Sequence, residues 1–257
     1  VEIRVNAFAP DFAGAEICPS QNFGERRDNA DIDAIILHYT GMASGEAAQA
    51  WLCNPDSQVS SHYIVHEDGR VVQMVREADR AWHAGKSFWA GVTDINSCSV
   101  GIEIVNRGHD LGYGEFPDSQ VESVISLTRD IVTRHNVSGE RVLAHSDVAP
   151  GRKIDPGEKF PWGRLASAGV GHWVPPEPAG KDRGLCEGDS GEAVKSLQTL
   201  LFRYGYGVDT DGTFGEKTRI VVEAFQRHFR PERVDGIADR STTNTLSRLL
   251  AALPDAA

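Results

Sequence analysis

Nine histidines occur among 257 residues, and two of them interrupt apolar runs. His38 lies in AIILHYT (34–40) and His145 in RVLAHSDV (141–148), where an uncharged buried imidazole needs a specific partner. A metal ion is one such partner. Ten residues after His145, beyond a Pro150–Gly151 turn that can fold the chain back, stands Asp155. Two imidazoles and one carboxylate are the protein ligands of a catalytic zinc site, which leaves the fourth tetrahedral position for water or substrate. Core histidines with satisfied hydrogen bonds and a loop aspartate fit the same residue types, so spacing alone leaves both readings open. Glu103, inside the apolar run SVGIEIVN (99–106), is costly to bury unpaired, and reads either as a catalytic carboxylate or as a partner for Arg107. Lys153, beside Arg152, is either a solvated charge or a donor to a developing oxyanion. His62 and His66 flank Ile64 at period two, as a joint metal site or as half-exposed strand residues. His109, His135, His172 and His228 sit among polar residues in loops or near helix ends and read as structural or solvent-facing.

These side chains need elements to hold them. The run at 34–40 reads as a strand buried on both faces. HYIVHEDGRVVQMV (62–75) reads as a hairpin turning at Glu67, Asp68 and Gly69, while 99–106 and 141–148 read as further strands. Ser119 followed by Glu122 makes a capping box, and Val121, Val124, Ile125, Thr128, Ile131 and Val132 repeat at helical spacing up to Asn136. Strands and helices in this order predict an α/β fold with a mixed central β-sheet flanked by helices. WVPPEPAGKDRG (173–184) holds three prolines and two glycines without apolar periodicity, and reads as a linker. After it, Val194, Leu197, Leu201 and Tyr204, then Val221, Val222, Phe225 and Phe229, then Leu246, Leu249 and Leu250 form three apolar helical faces. The first of these helices begins at Asp189 or Ser190, and turns fall at Asp211–Gly212 and Asp235–Gly236. The predicted organisation is therefore a front domain (1–173), a linker (174–184) and a small three-helix C-terminal domain (185–257).

Composition limits the partners. The chain has 26 basic and 37 acidic residues, a formal net charge of -11, so phosphate backbones and anionic lipid surfaces repel it. Up to Gly171 there are 15 basic and 24 acidic residues (net -9), and from His172 onward 11 and 13 (net -2), so the acidity belongs to the front domain. No run of about 18 apolar residues is present. Cys18, Cys53, Cys98 and Cys186 are widely spaced and read as free thiols. With no leader-like N-terminal run, these thiols favour the cytoplasm, and a leader removed from the chain would favour the periplasm instead.

The motifs IILHYTGM, SSHYIVHEDGRVVQMV, AWHAGKSFWAG, SVGIEIVN and LAHSDVAPGRKIDPGEKFPW, taken together and in this order, resemble the zinc-dependent N-acetylmuramoyl-L-alanine amidases of the type-2 family, which share a fold with the peptidoglycan recognition proteins. The resemblance spans about Phe8 to Trp173. It implies one Zn2+ per chain held by His38, His145 and Asp155, with Glu103 as catalytic acid/base assisted by Lys153. It also places Trp82 and His83, in AWHAG, in the substrate cleft. Phe88, Trp89 and Asn96, expected with Trp82 and His83 to bind substrate, resemble the branch of the family that is broader in substrate and often carries a C-terminal wall-binding module. The tail segments GDSGEAVKSLQTLLFRYGY, DGTFGEKTRIVVEAFQRHF and DGIADRSTTNTL are similar to peptidoglycan-binding domain 1 modules over about Leu185 to Leu250.

The implied activity is hydrolysis of the amide between the lactyl group of N-acetylmuramic acid, or its anhydro form, and L-alanine, in cell-wall turnover or recycling. The implied partner is peptidoglycan or a muropeptide. Two alternatives remain open: a wall-binding sensor that does not cut, and a zinc peptidase acting within the stem peptide. The aromatic residues Trp82, Phe88 and Trp89 suit stacking on a sugar or peptide, and suit a core equally well.

Overall fold

The structure is a computed structural model that describes residues 8–253. Its front region runs β1 (Ala15–Ile17), β2 (Phe23–Gly24), β3 (Ala34–Tyr39), α1 (Gly45–Cys53), β4 (Tyr63–Val65), β5 (Val71–Gln73), β6 (Arg80–Ala81), α2 (Ile95–Cys98), β7 (Ser99–Ile104), α3 (Asp118–His135), β8 (Val142–Ala144), α4 (His145–Val148) and α5 (Trp162–Ser167). Three longer helices follow: α6 (Glu192–Tyr204), α7 (Glu216–Phe229) and α8 (Arg240–Ala251). The main sheet has the order β1-β5-β4-β7-β3-β8 and is parallel except for the β4–β5 hairpin. β2 and β6 form a separate antiparallel pair.

The sheet is covered on both faces, which is why its strands read as nearly continuous apolar runs. Ile35 and Leu37 of β3, with Val100, Ile102 and Ile104 of β7, pack against Val121, Val124, Leu127 and Ile131 of α3. Ile36 points the other way and joins the apolar cluster of α6, α7 and α8, while Ile64 and Val72 meet Ala48 and Leu52 of α1. Because side chains alternate along a strand, His38 shares the face of Ile36, and Glu103 lies on the face opposite Ile102 and Ile104. The two are register partners across the β3–β7 ladder. Both therefore sit near the carboxyl ends of parallel strands, where open α/β sheets place their ligands.

Local details depart from the sequence expectation. The expected strand 141–148 ends at Ala144, and His145 instead opens the helical turn α4. Asp147 makes that turn by accepting a hydrogen bond from the Ala144 N–H at 2.8 Å. Ser119 is no helix cap: α3 starts at Asp118, and the Ser119 hydroxyl donates to the Glu67 carbonyl at 2.8 Å. α6 begins at Glu192 rather than at Asp189 or Ser190.

The segment 174–184 has no helix or strand, yet it is pinned along the C-terminal helices. The Pro175 and Glu177 carbonyls accept from Arg248 and Ser241, and Asp182 accepts from the Arg240 N–H that opens α8. Among α6, α7 and α8 the same device occurs twice. The Gln198 side-chain amide accepts from Gly212 and donates to Thr218, and that of Gln226 accepts from Gly236 and donates to Thr242. Each Asp-Gly turn is thereby tied to the helices on either side of it. No helix among the described residues is long and apolar enough to cross a membrane.

Candidate metal centre and its cleft

Three elements deliver the central cluster. β3 ends with His38 and Tyr39, α4 begins with His145 directly after β8, and the loop beyond α4 returns Asp155. That return is held by the Ser146 N–H, which donates to the Asp155 carbonyl at 3.0 Å. His38 Nδ1 and His145 Nδ1 are 2.8 Å apart, and both face Asp155 Oδ2, at 3.1 and 3.0 Å. All three residues are buried.

The surrounding hydrogen bonds set the tautomers. The Ser99 hydroxyl donates to the Ile95 carbonyl at 2.5 Å, so at 3.2 Å it accepts from His83 Nε2. His83 Nδ1 is then an acceptor, and His38 Nε2 donates to it at 3.1 Å. On the other side His145 Nε2 donates to the Ala84 carbonyl at 3.1 Å. Both Nδ1 atoms consequently aim lone pairs at the carboxylate oxygen, with no proton assigned among the three atoms. Burial, with His145 alongside, pushes His38 down to about 4 despite the carboxylate, so its ring is neutral at pH 7. Three converging lone-pair donors of N, N and O type lie within one ion's reach, a donor set that suits a divalent cation.

Glu103 is the neighbouring acid. Its Oε2 is buried without a hydrogen-bond partner, and Arg107 is not among its partners. Burial pushes its pKa well above the ordinary value, the Asp155 charge adds to the effect, and Lys153 opposes it. Glu103 and Lys153 line the same cleft as His38, His145 and Asp155, a cavity of about 580 Å³.

The remaining sequence candidates divide. Trp82 lines the cleft. His83 reaches it too, but its ring nitrogens are committed to His38 and Ser99, which makes it the partner that fixes the tautomer of His38. Asn96 does not face substrate space: its Oδ1 accepts from the His83 and Ala84 N–H groups at 3.1 and 2.8 Å and holds that segment in place.

Phe88 and Trp89 are corrected as well. Trp89 is 1% exposed and packs edge-on against Tyr204 and Tyr206, and Phe88 lies against Gly207. The aromatic pair joins the front region to the C-terminal helices. His62 and His66 do not meet at a metal. His62 Nδ1 accepts from the Gly101 N–H at 2.9 Å, whereas His66 Nε2 faces Gln49.

The sequence reading missed several residues of the cleft wall, namely Tyr39, Met42, Trp51 and Val59. Trp51 is 48% exposed although Ala48 and Leu52 of the same helix are buried, and an aromatic residue off the apolar stripe of α1 was the available signal. Tyr39 packs in a rim cluster with His109 and Tyr113, its hydroxyl 3.0 Å from His109 Nδ1.

Comparison with known proteins agrees with this geometry. Residues 28–158 match the N-acetylmuramoyl-L-alanine amidase family, and residues 190–246 match a peptidoglycan binding domain family. The chain is 38% identical over 231 residues to the N-acetylmuramoyl-L-alanine amidase AmiD of Escherichia coli, covering 85% of this chain and 82% of that protein. It is 31% identical over 171 residues to the 1,6-anhydro-N-acetylmuramyl-L-alanine amidase AmpD of Citrobacter freundii, covering 60% and 89%.

Among solved structures, the complex of E. coli AmiD with anhydro-N-acetylmuramic acid-L-Ala-D-gamma-Glu-L-Lys superposes with a TM-score of 0.74 at 37% identity, covering 88% of this chain and 91% of the other. AmpDh3 from Pseudomonas aeruginosa gives a TM-score of 0.70 at 29% identity, covering 96% and 100%. With both the extent of these matches and the convergence of His38, His145 and Asp155 in hand, the chain belongs to the N-acetylmuramoyl-L-alanine amidase family.

Proposed function

We propose that this protein is a zinc amidase that hydrolyses the bond between the lactyl carbonyl of N-acetylmuramic acid, in its ordinary or anhydro form, and the L-alanine of a peptidoglycan stem peptide. The observation that carries the reading is the inward convergence of His38 Nδ1, His145 Nδ1 and Asp155 Oδ2 beside the unpartnered Glu103 carboxylate. The relative AmiD has been captured with an anhydro-muropeptide, and we carry that substrate class to the present cleft. Zinc held by these three residues would polarise the scissile carbonyl and lower the pKa of water from about 16 toward about 7.

The chain supplies the rest. Glu103, with its raised proton affinity, takes the proton of the attacking water and later gives it to the leaving amine nitrogen, the work of a general base and then a general acid. Lys153 places a cation where the carbonyl oxygen gains charge. Trp82 and Trp51 offer apolar faces to sugar or peptide at the cleft wall. The C-terminal helices are proposed to hold the enzyme on wall polymer.

The test is a digest of a muramoyl-tripeptide, ordinary and anhydro, with zinc analysis of the purified protein. Release of a free peptide beginning with alanine is expected. A sugar product still carrying alanine would place the cut within the stem, and no product from zinc-loaded protein would leave a binding protein. We further propose a cytoplasmic location, on the chemistry of four unbridged thiols. Cys18 and Cys53 place their sulfurs 3.6 Å apart, so recovery of a Cys18–Cys53 disulfide from native cells by alkylation and mass spectrometry would overturn it.

A further inference from the structure

α4 is a single helical turn of four residues, too short to be stable by itself, yet it carries His145. What fixes it is Asp147, a fully buried carboxylate. Its Oδ2 accepts from the N–H of Ala144, the residue before His145, at 2.8 Å. Its other two bonds come from the C-terminal helical region: the Tyr206 hydroxyl donates to Oδ1 at 2.6 Å, and His228 Nδ1 donates to Oδ2 at 2.6 Å. Neither donor is free to wander. Tyr206 is fully buried against Trp89, and the His228 ring is stacked between Trp162 and Phe229, with ring centroids 3.6 and 3.7 Å away.

Without those donors Asp147 would keep one hydrogen bond in a fully buried site. A buried carboxylate so short of partners is unfavourable enough to be relieved by movement, and the segment free to move is the turn that aims His145. A module that only tethers an enzyme to its polymer needs no buried polar contact with the catalytic machinery.

We propose that Tyr206 and His228 are positioning residues of the metal centre, acting through Asp147 on His145, so that the C-terminal helical region completes the metal site as well as any wall-binding surface. The proposal rests on the zinc reading given above.

The test uses the full chain and reads zinc affinity directly, by competition with a chromophoric chelator, alongside Tm of the metal-free protein and steady-state kinetics on a soluble muropeptide. Tyr206→Phe removes only a hydroxyl. His228→Phe keeps the stack and removes the donor, while His228→Asn restores a donor near the place of Nδ1. Loss of such an outer partner costs roughly 10-fold to 100-fold in metal affinity. Both Phe variants should therefore bind zinc at least about 10-fold more weakly, with kcat reduced and KM unchanged, and His228→Asn should recover most of the loss.

Leu246→Ala, a cavity in the three-helix core at a residue that makes no hydrogen bond to Asp147, should lower Tm and leave zinc affinity at the wild-type value. The proposal is overturned if the Phe variants lose Tm alone, if they bind zinc like wild type, or if Leu246→Ala weakens zinc as much as they do. Should His228→Phe fail to fold, Tyr206→Phe decides by itself. A wild type that binds no zinc overturns the zinc reading itself, whereas a zinc-binding wild type with insensitive variants overturns only the coupling.

Discussion

At the scale of single residues, the cluster depends on what is missing as much as on what is present. Gly101, in β7, lies directly under His83, where an added Cβ would stand 2.5 Å from His83 Cγ. That atom is the root of the ring and cannot swing aside as a flexible chain end would. Gly101→Ala should displace His83, release the Nε2 proton of His38 from its acceptor and weaken zinc binding by about 10-fold, a change that chelator competition measures. Glu103→Gln makes the complementary prediction. It removes the proposed proton carrier without touching His38, His145 or Asp155, so turnover should fall by about 100-fold to 10,000-fold while zinc content stays at one per chain. Retained turnover in a zinc-loaded Gln variant would show that another group moves the proton.

At the scale of elements, Glu77 joins the segment after β5 to α3. Its carboxylate, almost fully buried, accepts from Tyr63 at 2.6 Å and from Arg134 and His135. Burial alone would raise its pKa, but these hydrogen bonds outweigh burial and bring it down to about 2, against an ordinary value of 4.5. A carboxyl whose pKa is depressed on folding contributes stability that is complete above the unfolded value and is lost as pH falls through the folded one. The gap corresponds to at most about 3 kcal/mol. Denaturant titrations between pH 6 and about 2 should show wild type losing more stability than Glu77→Gln, and parallel losses would sink the assignment.

Elements of this kind also show what a sequence can disclose. β3, β7, the β4–β5 hairpin and the apolar stripe of α3 were legible because apolar runs and helical spacing record which faces are buried. The turn at α4 was not. Its apolar lead-in reads as strand, and the residues that fix Asp147 lie 59 and 81 positions further along the chain. His38, Glu103 and His145 were legible as polar groups in costly places and Asp155 only as a loop carboxylate beyond a turn, whereas Phe88 and Trp89 were ambiguous because an aromatic residue type does not say which surface it covers.

At the scale of the whole molecule, the front region and the C-terminal helices behave as one body. Ile36, Leu143 and Val148 share an apolar cluster with Leu201, Tyr204 and Phe225, and Trp89 is fully buried between the two. The approach is close enough that a Cβ on Gly205 would meet the Trp89 ring at 2.5 Å, and the Ala90 N–H donates across the boundary to the Gly205 carbonyl at 2.8 Å. Linked domains move independently unless their interface is large and apolar. Here the interface is continuous with the three-helix core and takes in residues of the sheet face that carries Ile36 and Leu143, so calorimetry should record a single unfolding transition.

Trp89→Ala should lower that transition by the cost of emptying a large core site, about 3–5 kcal/mol, and split it in two if the two regions retain any stability apart. Trp82→Ala, half-buried on the cleft wall, should leave the transition nearly unchanged and raise KM. The same pair of substitutions read by kinetics and by calorimetry thus separates the tryptophan proposed to meet substrate from the one that holds the two regions together. Reversal of the two effects would mean that the cleft and the interface have been assigned the wrong way round.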